Sequence, residues 1–160
     1  MSAVQIVVDH EIYNAKAERL TLRLPELRRF AARAHRLAGL AGEVSLLLTD
    51  DARLKSLNRE FRKKNKATDV LSFPAGEGSA EIAGDLAISL DTALRQADER
   101  GHELFDEVRV LTLHGMLHLA GFDHETDCGE MATHEAELGA KLKLPLGLIE
   151  RTTPKKRSKA

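Results

Sequence analysis

Three histidines lie close together in the segment HGMLHLAGFDH, which runs from His114 to His124. His114 and His118 are four residues apart, so in a helix their imidazoles share one face, with Cβ atoms about 5–6 Å apart. Gly121 follows where such a helix would end, because glycine accepts the left-handed conformation that commonly follows a C-cap. A chain reversal there brings His124 back toward the other two. The spacing therefore predicts one zinc ion held by three nitrogens, with a fourth position open for water.

The surroundings of these histidines favour a metal site over a solvated helix face. The predicted helix is apolar nearly all round and hence buried, and a buried imidazole without a bonding partner costs free energy. Cys128 is an alternative fourth ligand, and its thiolate would close the coordination sphere and make the zinc structural. Histidine ligands also admit nickel, cobalt or copper.

The histidine spacing is also that of extended zinc-peptidase signatures. Those peptidases carry a glutamate directly after the first histidine as general base, and this chain has Gly115 at that position. Glycine cannot move a proton, so peptide hydrolysis by the usual route is disfavoured. A zinc peptidase or related hydrolase remains one alternative function.

A basic segment lies upstream of the histidines. It contains seven basic residues and one acidic residue, Glu60. The whole chain has a net charge of −1, so it is no general polyanion binder, and the segment is either a solvated helix face or a nucleic-acid contact. The basic residues are Arg53, Lys55, Arg59, Arg62, Lys63, Lys64 and Lys66.

Apolar periodicity along the rest of the chain predicts one α+β domain. Its order is strand, helix, strand, helix, strand, strand, helix, helix, helix, which gives a small mixed four-stranded sheet packed with about five helices. Expected helix starts include Pro25, Asp50 or Asp51 as a cap, and Asp91 as a cap. The domain spans 1–150, and the basic tail at 151–160 is expected to be disordered.

Composition places the chain among globular proteins of a reducing compartment. Its 160 residues are enough to bury about two thirds of the unfolded surface. The single cysteine, Cys128, rules out an intramolecular disulfide. No apolar run approaches the ~18 residues of a membrane span, and the N-terminus has no signal-peptide pattern. We expect a cytoplasmic protein.

Three blocks of the sequence resemble the YbeY-type endoribonucleases, metal-dependent enzymes that mature ribosomal RNA. HGMLHLAGFDH matches that family's signature with one departure, Phe122, where tyrosine is usual. LNREFRKKNKATDVLSFP, from Leu57 to Pro74, and GDLAIS, from Gly84 to Ser89, match two further blocks in the same order. The resemblance covers the chain from about Leu46 to about Leu142.

This resemblance implies a zincin-like fold and a single-strand-specific, zinc-dependent endoribonuclease. It implies processing of small-subunit ribosomal RNA, a part in ribosome quality control, and ribosomal RNA and the small subunit or its proteins as partners. Zinc on His114, His118 and His124 would lower the pKa of a bound water toward about 7. Arg62 matches the family's functional arginine and is expected to clamp a phosphodiester, while its basic neighbours contact flanking phosphates.

Several roles stay open on the sequence. The general base is unassigned, with Asp85 and Asp123 as candidates, and Asp85 could instead orient a ligand histidine or point into solvent. His10, His35 and His134 are expected at the surface. A second alternative function is a non-catalytic ribosome-assembly factor that uses zinc as a structural staple and binds RNA through its basic segments.

Overall fold

The order of helices and strands confirms the predicted α+β arrangement. The computed structural model describes residues 3–9, 22–62, 70–75, 82–122 and 128–144. The predicted single domain at 1–150 remains a prediction, and the tail at 151–160 lies outside the described residues. The elements in that part of the chain are β1 (Val4–Val8), α1 (Leu24–Leu37), β2 (Glu43–Thr49), α2 (Asp51–Arg62), β3 (Val70–Pro74), β4 (Ile82–Ser89), α3 (Leu90–Arg100), α4 (Leu104–Leu119) and α5 (Glu130–Lys141).

The four strands form one mixed sheet in the order β1-β2-β4-β3. β1 pairs with β2 and β2 with β4 in parallel, whereas β3 and β4 are antiparallel. Parallel neighbours need a long crossover connection, and α1 provides one between β1 and β2. β4 is therefore an interior strand, with β2 on one side and β3 on the other.

Helices α4 and α2 cover opposite faces of the β3–β4 half of the sheet. Side chains alternate between the two faces along a strand. Leu86 of β4 lies against Gly115 of α4. Ala87, the next residue, packs instead with Leu54 of α2 and Leu71 of β3 in a small separate apolar cluster.

Helix α4 lies at the centre of the main core. It contacts α1, α3, α5, β3 and β4, and each large apolar side chain that it buries stabilises the fold by about 1.5–3 kcal/mol. No helix in the described ranges is long and apolar enough to cross a membrane. The buried apolar side chains of α4 are Leu104, Phe105, Val108, Val110, Leu111, Leu113, Met116 and Leu117.

The start of α2 confirms one of the two predicted caps, whereas the start of α3 differs from the sequence prediction. Asp50 caps α2, because its carboxylate accepts a hydrogen bond from the Arg53 amide at 2.9 Å. Ser89, and not the predicted Asp91, caps α3, since its Oγ accepts from the Thr92 amide at 3.2 Å. Asp91 instead accepts a hydrogen bond from the backbone amide of Asp51 at 3.2 Å, which ties the two helix starts together.

The expected surface position of His35 is wrong. The residue is 5% exposed, and its Nε2 donates a hydrogen bond to the carbonyl oxygen of Gly42 at 2.6 Å. His35 lies on the face of α1 that carries the buried Leu27, Ala31 and Ala34. The imidazole is therefore a satisfied core group that joins α1 to the start of β2.

The carboxylate of Asp51 accepts several hydrogen bonds where α2 and α3 begin. Its Oδ1 accepts hydrogen bonds from the hydroxyls of Ser89 and Thr92, and its Oδ2 accepts one from Arg95 at 3.0 Å. Burial raises the pKa of Asp51, but the hydrogen bonds from Ser89, Thr92 and Arg95 and the charge of Arg95 outweigh it. The net effect is a pKa below the usual value for aspartate.

We predict that Gly84→Ala lowers the free energy of unfolding by about 2–4 kcal/mol, because it combines backbone strain with overpacking. Gly84 has φ +151°, and a Cβ there would lie 2.5 Å from the Phe73 carbonyl oxygen and 2.8 Å from Leu119 Cδ2. Gly39→Ala is the matched control, since Gly39 has φ +79° with nothing within 4 Å of an added Cβ. Its strain alone should cost about 1–2 kcal/mol. Urea unfolding measures the free energy of unfolding of both variants. Equal losses of stability would contradict a close approach of Phe73 and Leu119 to Gly84.

We predict that the carboxylate of Asp51 stabilises the fold near neutral pH and that this contribution is lost as the pH falls. Its pKa in the folded state is lower than the unfolded value of about 3.9, so the unfolded state binds more protons. The contribution is present above about pH 4 and is lost as the pH falls through the folded-state pKa. The gap in unfolding free energy between wild type and Asp51→Asn should therefore narrow from about pH 6 to about pH 3. Urea unfolding across this range tests it, and a constant gap would refute it.

Candidate metal centre

The last turns of α4 bring two imidazoles together. The Nε2 atoms of His114 and His118 are 3.2 Å apart, with the ring centroids separated by 4.8 Å and the planes at 77°. Two nitrogens on one tetrahedral zinc are about 3.3 Å apart, given Zn–N distances of about 2.0–2.1 Å. The separation therefore fits two nitrogens that share one metal ion.

The chain reverses directly after this pair. Gly121 has φ +106°, and its amide donates to the carbonyl of His118 at 3.0 Å while the Phe122 amide donates to the carbonyl of Leu117 at 3.0 Å. These two hydrogen bonds form a Schellman motif, which ends a helix and turns the chain back. His124 lies outside the described residues, so its place as third ligand remains a prediction.

The described residues on either side of 123–127, Phe122 and Cys128, both contact α5. Phe122 stacks on His134, with ring centroids 5.0 Å apart and planes at 25°. At the other end, the Cys128 amide donates a hydrogen bond to Glu130 Oε1 at 2.7 Å.

Glu135 of α5 contacts the other ring nitrogen of His114. Its Oε1 lies 3.1 Å from His114 Nδ1, and its side chain is 1% exposed. Glu135 was not among the residues expected at the site from the sequence. The sequence does carry a sign that Glu135 is buried, because it follows Met131 by four residues and precedes Leu138 by three, which puts it on the same helix face as these apolar residues. A carboxylate in such a buried stripe needs a partner.

Two residues considered on the sequence are placed elsewhere. Asp85 is exposed, and strand alternation puts it on the sheet face that α2 covers, opposite α4. Cys128 is also exposed. Within the described ranges, no three side chains of His, Cys, Asp or Glu group as metal ligands would, so Cys128 does not join His114 and His118 there. Asp123 lies outside the described residues.

Gly115 has a packing reason to be glycine. A Cβ on this residue would lie 2.8 Å from Leu86 Cδ2 and 3.3 Å from Val70 Cγ2. Its carbonyl oxygen accepts a hydrogen bond from Ser72 Oγ at 3.3 Å. A glutamate at this position would have to enter the contact between α4 and the sheet. At the position that carries the general base in zinc peptidases, the space beside the helix is therefore occupied here by side chains of the sheet.

Helix α2 ends at the same end of the sheet as α4. It begins at Asp51, beside Ser89 at the end of β4. Farther along, Leu57 packs against the cluster of Leu54, Leu71 and Ala87. Phe73 packs against the same cluster and pairs with Asp85 near the start of β4. A helix of 12 residues spans about 18 Å, close to the length of five strand residues. The last residue of α2 thus lies near the Gly84 end of β4, where α4 also ends.

The basic segment is described in part. Arg53, Lys55 and Arg59 are exposed on α2. Arg62 is the last residue of α2, and its side chain, like the lysines at 63, 64 and 66, lies outside what the structure describes. A local excess of positive charge is therefore present along α2, which ends toward the histidine end of the sheet.

Comparisons with known proteins agree with the sequence blocks. The family model for Endoribonuclease YbeY matches residues 6–143. The Endoribonuclease YbeY of Koribacter versatilis is 58% identical over 127 residues, covering 78% of this chain and 80% of that protein. The Endoribonuclease YbeY of Solibacter usitatus is 53% identical over 131 residues, covering 82% and 87%. That of Aquifex aeolicus is 47% identical over 113 residues, covering 69% and 75%.

A solved structure supports the fold. The solution structure of TM1509 from Thermotoga maritima matches with a TM-score of 0.53 and 21% identity, covering 96% of this chain and 99% of that one. At that identity the likeness concerns the fold alone. The family resemblance inferred from the three sequence blocks is confirmed by the family model and the relatives. The chain belongs to the endoribonuclease YbeY family.

Proposed function

We propose that this chain is a zinc-dependent endoribonuclease that hydrolyses phosphodiester bonds of ribosomal RNA. The observation that carries the proposal is the 3.2 Å separation of the His114 and His118 Nε2 atoms in a member of the endoribonuclease YbeY family. Preference for single strands, action on small-subunit RNA, ribosome quality control and contact with the small subunit extend the proposal by resemblance to that family.

The zinc ligands in this proposal are His114, His118 and His124. The Schellman motif at Gly121 supports the third ligand, because it turns the chain back from the end of α4. The stacking of Phe122 on α5 supports it further, since α5 also carries the residue that contacts His114. When bound, the metal supplies Lewis-acid polarisation and a nucleophile that is active near neutral pH.

Arg62 has the role of holding the phosphodiester. Its guanidinium stays charged and can bind two phosphate oxygens at once, which stabilises negative charge that develops on them. The convergence of the ends of α2 and α4 at the Gly84 end of β4 supports this role. Arg59 and Lys63, Lys64 and Lys66 contact flanking phosphates and do not read sequence.

A peptidase function is disfavoured by a specific contact. An added Cβ at Gly115 would lie 2.8 Å from Leu86 Cδ2, so a glutamate at this position would have to displace Leu86. Phosphodiester hydrolysis does not require a glutamate at that position, because positioning and charge stabilisation of the phosphoryl oxygens provide a large part of its catalysis.

We predict that His118→Ala lowers RNA cleavage at least about a hundredfold, since it removes one metal ligand. A chelator should abolish wild-type cleavage, and added zinc should restore it. His102→Ala is the matched control, because His102 lies in the loop before α4 and should leave cleavage unchanged. The assay follows a structured ribosomal RNA fragment cut by purified full-length protein.

The same assay separates the alternatives. Equal cutting by all samples would identify a contaminating nuclease and remove the support for this function. Zinc binding and RNA binding without cutting would favour the non-catalytic assembly factor. Turnover of a peptide library that is lost in His118→Ala would favour the peptidase.

We predict that Arg62→Ala lowers RNA cleavage about 10²–10³-fold while leaving the zinc content unchanged, because it removes a charge that stabilises the phosphoryl oxygens. Arg59→Ala should instead weaken RNA binding and reduce the slope of log affinity against log salt by about 1. Arg100→Ala, an exposed arginine at the end of α3, is the control for general charge. Cleavage rate, zinc content and salt-dependent binding are measured for each variant. Loss of zinc in Arg62→Ala would show that Arg62 is structural.

A further inference from the structure

The carboxylate of Glu135 is buried in the contact between α4 and α5. Its side chain is 1% exposed, and Met131 and Leu138 on the same face of α5 are 0% and 3% exposed. Glutamate is almost never fully buried unless it is paired. Oε1 has His114 Nδ1 at 3.1 Å, while buried Oε2 has no hydrogen-bond partner among the described residues. Within the described residues, His114 is therefore the polar partner of this buried carboxyl group.

The contact selects one tautomer of His114. A neutral imidazole carries one N–H and one lone pair. With the hydrogen on Nδ1, the ring donates to Glu135 and leaves the Nε2 lone pair directed toward His118. With the hydrogen on Nε2, the Nδ1 lone pair would face a carboxylate oxygen at 3.1 Å, and two acceptors would oppose each other in a buried contact.

Packing holds this geometry in place. α5 contacts α4, and Met131 and Leu138 of α5 belong to the main apolar core, so a shift of the backbone that carries Glu135 would open that core. The His114 side chain is 15% exposed, so little water competes for Nδ1. Carboxylates that accept from the outer nitrogen of a metal-bound imidazole fix its orientation and raise its basicity.

We propose that Glu135 is a positioning residue of the metal centre: by accepting a hydrogen bond from His114 Nδ1–H, it presents an unprotonated Nε2 beside that of His118. This rests on the proposed metal-dependent function, and it concerns zinc binding before any RNA is present. On the sequence, Asp85 was one candidate for orienting a ligand histidine, with a solvent-facing position as the alternative; it is exposed and lies on the other face of the sheet.

The test combines the tautomer of His114 with zinc affinity in the full chain. Long-range proton–nitrogen NMR of ¹⁵N-histidine-labelled, metal-free protein reports which ring nitrogen carries the hydrogen. Competition with a chromophoric chelator reports zinc affinity. The first variant is Glu135→Leu, which keeps a side chain of similar size and removes the hydrogen-bond acceptor. The second is Glu135→Gln, whose amide oxygen can still accept a hydrogen bond from His114. Glu137→Gln is the matched control, because Glu137 is on the same helix, 66% exposed, and lies 3.7 Å from His134 Nδ1.

We predict that wild-type His114 carries its hydrogen on Nδ1 and that Glu135→Leu loses this preference and binds zinc about 10–100-fold more weakly. Glu135→Gln should retain part of both properties, and Glu137→Gln should match wild type. If Glu135→Leu does not fold, the tautomer in wild type and the zinc affinity of Glu135→Gln decide the question.

Three results would overturn the proposal: a hydrogen on Nε2 of His114 in wild type, unchanged zinc affinity in the folded Glu135 variants, or a wild type that binds no zinc. Failure of the proposed function looks different. In that case zinc affinity and tautomer respond to Glu135 as predicted, but no variant, wild type included, cuts RNA.

Discussion

The close contact between α4 and the sheet is the constraint on which the rest of the structure depends. Gly115 lies against Leu86, and Gly84 against Leu119, at distances that leave no room for an added Cβ without displacing neighbouring atoms. One face of α4 is thereby committed to the sheet. The imidazoles of His114 and His118 lie away from this contact. Glu135 of α5 contacts Nδ1 of His114, the ring nitrogen that faces away from His118.

The same contact bears on function. The glycine at the position where zinc peptidases carry their general base fits the close packing of α4 on the sheet. The histidine spacing of those enzymes is therefore present here without their glutamate. A general base then has to come from another position, while His114 and His118 of α4 are the proposed zinc ligands. The end of α2 reaches the same end of the sheet, and its basic residues supply charge suited to phosphate oxygens. This arrangement suits RNA better than a peptide.

Local signals explain what the sequence predicted well. The order of elements follows from apolar periodicity, the pairing of His114 with His118 from helical spacing, and the turn at Gly121 from the conformational freedom of glycine. Side-chain contacts from one element to the next were missed. The buried His35 reaches Gly42, and Glu135 reaches His114, across 21 positions of the chain. A stripe pattern shows that such a polar residue is buried, but it does not show which partner it finds.

In the proposed metal centre, the imidazoles of His114, His118 and His124 hold zinc and leave one coordination position open. X-ray absorption at the zinc edge of the full-length, zinc-loaded protein tests it most directly, because nitrogen and sulfur ligands differ in distance. The account predicts nitrogen or oxygen ligands at about 2.0–2.1 Å and no sulfur, with one nitrogen lost in His124→Ala. A sulfur ligand at about 2.3 Å that disappears in Cys128→Ser would show a closed, structural site and contradict the account.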